Sequence, residues 1–190
     1  MDRNESRGRP AGAAARWAGR LTAALRGQKA AYAGDSGHAP ERYAAAMLGY
    51  GAYVAALAGA GRLTGRRLPC RVDPWDLALC AVATFRLSRL LTKSTVASPL
   101  RVPFTVARGG AGAAELSEEA RGEGGRRTVG ELITCPFCTD MWVATTITAG
   151  LVLCPRATRL ATAALTAVAG ADALQFAYAA MVERERDGAD

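Results

Sequence analysis

Residues 160–182 read LATAALTAVAGADALQFAYAAMV, a run of 23 residues carrying a single charge, Asp172. At ~1.5 Å of rise per residue, a helix of this length crosses the ~30 Å hydrocarbon core of a bilayer. Arg156 and Arg159 precede the run and Glu183-Arg184-Glu185-Arg186 follows it, so its apolar character ends abruptly on both sides.

Three further segments share the pattern. Met141 to Cys154 is uncharged, and with Cys135 to Asp140 as its first turns it makes a span near 137–154. Ala44 to Gly61 is uncharged between Arg42 and Arg62, giving a span near 43–61. Gly49, Tyr50, Gly51, Tyr53 and Gly59 within it suit close helix contact, where small residues let backbones approach. The fourth, near 74–91, opens on Asp73-Pro74-Trp75, an N-cap followed by a proline at the first helical position. It then meets Arg86 and Arg89, three apart on one face. The expected fold class is therefore all-α, a multi-pass helical membrane protein with about four transmembrane helices.

The remaining chain is polar. Residues 1–42 form a basic N-terminal tail, expected to be partly disordered, with no cleavable signal peptide in its charged start. From Ala11 to Ala33, Trp17, Leu21 and Leu25 make a thin apolar stripe among arginines, which fits either a helix on the membrane surface or a solvated tail. Residues 43–182 are the membrane domain, and 183–190 a charged C-terminal tail. Within the domain, Ser98 to Phe104 is apolar enough to hug a membrane. The stretch 105–130, rich in Gly, Glu and Arg, is expected to be a mobile polar loop.

Half the residues are apolar, yet mean hydropathy is only +0.05, because arginine-rich and uncharged stretches alternate. The net charge of +7 raises nucleic acid as a partner. The basic residues bracket apolar spans without aromatic interleaving, so the lipid bilayer is the expected partner and nucleic acid is not. With four spans, sixteen Lys and Arg fall on the side of the termini and central loop and six on the other. That bias places both termini in the cytosol of a bacterial cell, with the spans in the cytoplasmic membrane. Gly/Ala-rich helix faces also allow a protein partner or a homo-oligomer.

Two groups of residues can carry chemistry. Thr134-Cys135-Pro136-Phe137-Cys138-Thr139-Asp140 turns from loop into helix, with Thr134 or Cys135 as N-cap. A thiol there feels the positive helix end, and Cys138 lies one turn inside. Three roles stay open: structural packing or partner contact, thiol redox, and a metal shared between subunits. One Cys-x-x-Cys supplies two ligands where structural zinc takes four, and no cofactor is otherwise expected. The second group is a buried charge network of Arg86, Arg89, Asp140, Asp172 and Gln175. Ionisable groups inside a membrane tend to pair or to mark an ion pathway, although long arginines also snorkel to the interface. An Arg–Asp pair joining Asp172 to Arg86 or Arg89 is the expected arrangement. His38 reads as an ordinary loop residue.

Three motifs occur in a telling order: Thr84-Phe85-Arg86-Leu87-Ser88-Arg89-Leu90, then Ser98-Pro99-Leu100-Arg101-Val102-Pro103-Phe104, then Gly130-Glu131-Leu132-Ile133-Thr134-Cys135-Pro136-Phe137-Cys138 with Trp142-Val143-Ala144. Over residues 75–180 they resemble an uncharacterised bacterial family, the domain of unknown function numbered 1360. The resemblance implies a small integral membrane protein and no defined activity. One relative from spore-forming bacteria carries a sporulation label. Where that family commonly has an acidic residue after the position of Lys93, this chain has Ser94. The expected function is a membrane scaffold or interaction protein, linked to sporulation or envelope processes. A thiol-disulfide protein or redox sensor using Cys135 and Cys138 is the alternative, and a small transporter component the second alternative. Enzymatic activity is less expected than its absence.

Overall fold

A computed structural model of the chain describes residues 16–17, 19–24, 26–28, 40–112 and 115–188, the side chains of 40–42 aside. The chain divides into two compact units, Met1–Ala45 and Ala46–Asp190. In the first, the described residues between 16 and 28 are helical, and Trp17 and Leu21 are exposed. Leu25 and His38, and most of the expected tail, lie outside the described residues.

The elements in order are α1 (Pro40–Leu63), α2 (Pro74–Lys93), the single turn α3 (Ser98–Arg101), β1 (Thr105–Gly112), β2 (Glu115–Ala120), α4 (Gly124–Thr134), α5 (Pro136–Leu153) and α6 (Pro155–Asp187). Prolines open several helices, as their fixed φ and missing N–H favour. At α2, the Asp73 carboxylate accepts from the N–H of Trp75 at 2.8 Å and of Asp76 at 3.4 Å, with Pro74 in the first turn. Cys154 both ends α5 and starts α6, so the two helices meet in a tight corner. Gly150 makes that corner possible: a Cβ there would lie 2.6 Å from Thr158 Oγ1.

Three contacts set α2 and α6 side by side and parallel. Arg159 Nη2 meets Asp76 Oδ2 at 2.7 Å, Thr166 Oγ1 donates to the Leu79 carbonyl at 3.4 Å, and Arg86 faces Asp172. Helix α5 runs back between the ends of this pair, packing Val143 and Ile147 against Ala83, Cys80 and Leu87. Helix α1 leans on α5 through aromatic rings. Trp142 lies 5.2 Å from the Tyr50 ring and 5.3 Å from the Tyr53 ring. Tyr50 and Tyr53 reach Thr145 and Thr146 Oγ1, each at 2.7 Å. The threonines spend their single protons on the Met141 and Trp142 carbonyls, so the tyrosines must donate.

Burial is inverted relative to a water-soluble bundle. The buried residues include Ser88, Thr92, Arg101, Thr105, Thr128 and Thr162, against four buried hydrophobics, Ala83, Ala97, Val143 and Ile147. Leu77, Phe85, Phe137, Leu160, Leu174 and Phe176 face outward. Among the described residues, three helices are long and apolar enough to cross a membrane: Tyr43–Leu63, Pro136–Leu153 and Pro155–Asp187.

Two expectations need correction. The chain is mostly helical but not all-α, and among the described residues three of the four expected spans meet the length and hydropathy of a crossing. The expected fourth, 74–91, is a helix that carries Asp76, Arg86, Arg89 and, at its end, Lys93. The polar stretch 105–130 is an antiparallel hairpin followed by the start of α4, not a loop. Its register runs from Thr105↔Ala120 to Gly112↔Glu115, with irregularities on either side of Gly109 and Gly110. The charges that suggested mobility are paired: Glu115 with Arg89, Glu118 with Arg101, Glu119 with Arg108.

Candidate functional site

The hairpin is fixed to the helices by Arg101, whose side chain is 1 % exposed. Its guanidinium donates to the Leu91 carbonyl at 2.6 Å and the Ser94 carbonyl at 2.9 Å, the free acceptors at the C-terminal end of α2. Its Nε pairs with Glu118 on β2, itself 5 % exposed. A cation suits that end of a helix, where the carbonyls carry partial negative charge. Arg89, one turn earlier, makes a two-pronged contact with Glu115, Nη2 lying 2.6 Å from Oε1 and 2.7 Å from Oε2. On the other flank α4 presses on the hairpin base. A Cβ at Gly130 would lie 2.6 Å from the Phe104 carbonyl and 2.8 Å from the Ala120 Cβ, so only glycine fits. Arg126 adds two hydrogen bonds to the Pro103 carbonyl, at 2.9 and 2.6 Å. These contacts make a rigid cap over the end of α2.

Helix α5 leaves that cap through the Cys-Pro-Phe-Cys turn. Cys135 is the N-cap, and its sulfur accepts the Cys138 N–H at 3.3 Å. Pro136 supplies the first turn, Thr139 Oγ1 donates to the Leu132 carbonyl at 3.2 Å, and Phe137 points outward. Both cysteines are free and half-buried. The sulfur of Cys135 therefore has a structural task, terminating a helix. Among the described residues no group of three or more His, Cys, Asp or Glu stands close enough to hold a metal ion.

Of the expected charge network, Arg86 and Asp172 are brought together, Nε lying 2.9 Å from Oδ2. The contact is an ion pair without hydrogen-bond alignment, since Arg86 Nε has no aligned acceptor. Arg89 does not join them; it turns to Glu115 and lies over the Phe85 ring at 5.9 Å. Gln175 is exposed on α6. Asp140 joins no ion pair: its Oδ1 is buried without a hydrogen-bond partner, as is the hydroxyl of Ser88.

Sequence reasoning missed Glu115, Glu118 and the Asp76–Arg159 pair, and quoted Arg101 and Gly130 only as parts of motifs. The signal for the first two was the row of glutamates at 115, 118 and 119 set against arginines in the preceding motifs. Which arginine each glutamate meets depends on hairpin register, which glycine-rich strands specify weakly.

Comparison with known proteins agrees with these motifs. A family model described as "Protein of unknown function (DUF1360)" matches residues 79–178. The sporulation protein YjcA of Bacillus subtilis (strain 168) is 34 % identical over 76 residues, which cover 38 % of this chain and 64 % of that protein. The chain thus spans a little under two thirds of that relative's length. No solved structure matches. The matched region holds most of α2, the cap, the Cys-Pro-Phe-Cys turn, α5 and most of α6, and on that match the chain belongs to the DUF1360 family of proteins of unknown function.

Proposed function

We propose that this protein is an integral protein of the bacterial cytoplasmic membrane that presents its cap as an interaction surface, in processes of sporulation or the cell envelope. The supporting observation is the inverted burial: polar side chains pack inside while Leu77, Phe85, Phe137 and Leu174 face out. Lipid is as apolar as leucine, so outward leucine and phenylalanine carry no penalty there, and inward polar groups find partners. Helix α2 crosses alongside α5 and α6. Its 20 residues span ~30 Å. Its Asp76, Arg86 and Arg89 are met by Arg159, Asp172 and Glu115 on the neighbouring elements.

The excess of basic residues beside the cap and termini sets both on the cytosolic side. The sporulation label belongs to the relative, and its extension to this chain rests on the family tie. A membrane-impermeant maleimide on intact cells should label the exposed Cys70 and spare a Ser117→Cys site on β2 until the membrane is permeabilised. The reverse pattern would invert the topology. For the interaction role, a photoreactive residue at Arg108 on the exposed face of β1 should yield a discrete protein adduct in cells. Absence of any adduct along both strands would remove the scaffold reading.

One observation favours a second reading, in which the turn is a thiol switch: Cys135 and Cys138 sit on the same helical turn with the sulfur of one on the N–H of the other. Oxidation would join the two sulfurs and send two electrons and two protons to a dithiol-oxidising partner. Loss of cellular phenotype in the Cys135→Ser/Cys138→Ser protein, with its level in the membrane unchanged, would support this role.

A further inference from the structure

Helices α2 and α5 leave a groove of about 520 Å³ between them, within the usual range for small-ligand sites. Its walls are apolar, with Ala81 and Ala144 among the lining residues and Leu77 and Phe85 exposed at its rim. The lining holds no basic residue and one carboxylate, Asp140. That carboxylate stands one turn inside α5, with one oxygen buried and unpartnered. Oδ1 is closed to solvent, so a donor in the groove has to reach the other oxygen of the same carboxylate.

The layout along the groove is directional. Asp140 lies near the cap end, and the lining continues along α5 through Ala144 to Thr148, ~12 Å further at 1.5 Å per residue. A polar acceptor at the interface end and an apolar trough running inward match a lipid lying head to tail. The charge selects the head: the lining carries a carboxylate and no cation, and Arg89 beside Phe85 is already paired with Glu115, so an ammonium that can donate N–H bonds is favoured over an anionic headgroup. Exposed Phe85, Phe137 and Leu77 at the rim leave the trough open from the side, the direction from which a lipid would come.

We propose that the α2–α5 groove binds a membrane lipid whose headgroup carries a free ammonium, with Asp140 as its acceptor. The site rests on the membrane reading above and adds a ligand to it. The ammonium donates to Asp140, and one acyl chain lies along Ala81 and Ala144. No bond is made or broken.

The test is native mass spectrometry of the full chain in detergent with equal amounts of phosphatidylethanolamine, phosphatidylcholine and phosphatidylglycerol of identical acyl chains. Phosphatidylcholine keeps the positive charge but has no N–H to donate. Phosphatidylethanolamine should be retained about tenfold over the other two, as one charge-assisted hydrogen bond warrants. Asp140→Asn should bring the three to within about twofold. Ala144→Leu, which fills the trough and leaves the charge, should reduce retention of phosphatidylethanolamine in a protein that still elutes as the wild type does. Equal retention of the three lipids by the wild type would overturn the proposal. So would a preference that survives Asp140→Asn. Release of the wild type from membranes by alkaline carbonate would refute the membrane reading instead, and is read separately from lipid preference.

Discussion

Arg101 is the residue on which the cap depends. Removing either partner of a buried pair strands the other charge, at a cost of about 3–5 kcal/mol. Arg101→Met and Glu118→Gln should each lower the unfolding midpoint strongly, Arg101→Met more, because it also leaves the Leu91 and Ser94 carbonyls without their donor. Thermal unfolding in detergent measures both, and near-wild-type midpoints would mean the pair is dispensable. Gly130→Ala should cost about 1–3 kcal/mol, since the hairpin base has to move away from a new Cβ. Arg86 and Asp172 make a different case, because each is only partly buried. Asp172→Asn should lower folded yield and a second change, Arg86→Gln, should restore part of it; strictly additive losses would mean that the two do not interact. At Cys135 oxygen can replace sulfur as the cap acceptor, so Cys135→Ser should be tolerated while Cys135→Ala loses about 1 kcal/mol. Equal stability of the two would remove the capping role from the sulfur.

At the scale of elements, the helices were legible in the sequence and the hairpin was not. Asp73-Pro74 and Cys135-Pro136 are local signals: one residue caps and the next cannot donate, so both starts can be read from a few positions. The apolar runs carried the rest of each helix. The stretch 105–120 has no such local signature. Its glycines resemble a linker, and its glutamates resemble a solvated segment until each is matched with an arginine 11 to 26 positions away. The Arg86–Asp172 pair was legible because depth along two helices follows from counting residues, whereas Arg89 turned to Glu115, a partner on a strand that was not foreseen. Asp140 was legible as a member of a charge network, but its groove is a property of two helices together. The cap yields its own prediction. Limited proteolysis by an arginine-specific protease should spare Arg108 and Arg121 relative to Arg66 and Arg67 in the exposed connection between α1 and α2. Cleavage at Arg108 as fast as at Arg66 would return this region to a mobile loop.

For the whole molecule, the inverted burial and the three long apolar helices point the same way. A bundle with Ala83, Val143 and Ile147 as its buried helical core has too little apolar interior to stand alone in water. Its outward leucines and phenylalanines need an apolar solvent, and its α2 charges need the pairs that α6 and the hairpin supply. Orientation, lipid binding and the role of the cap all rest on insertion into the bilayer. Alkaline carbonate extraction of membranes from cells expressing the full chain tests it most directly. The protein should stay in the membrane pellet with integral proteins; its release into the supernatant with peripheral proteins would show that it is not inserted.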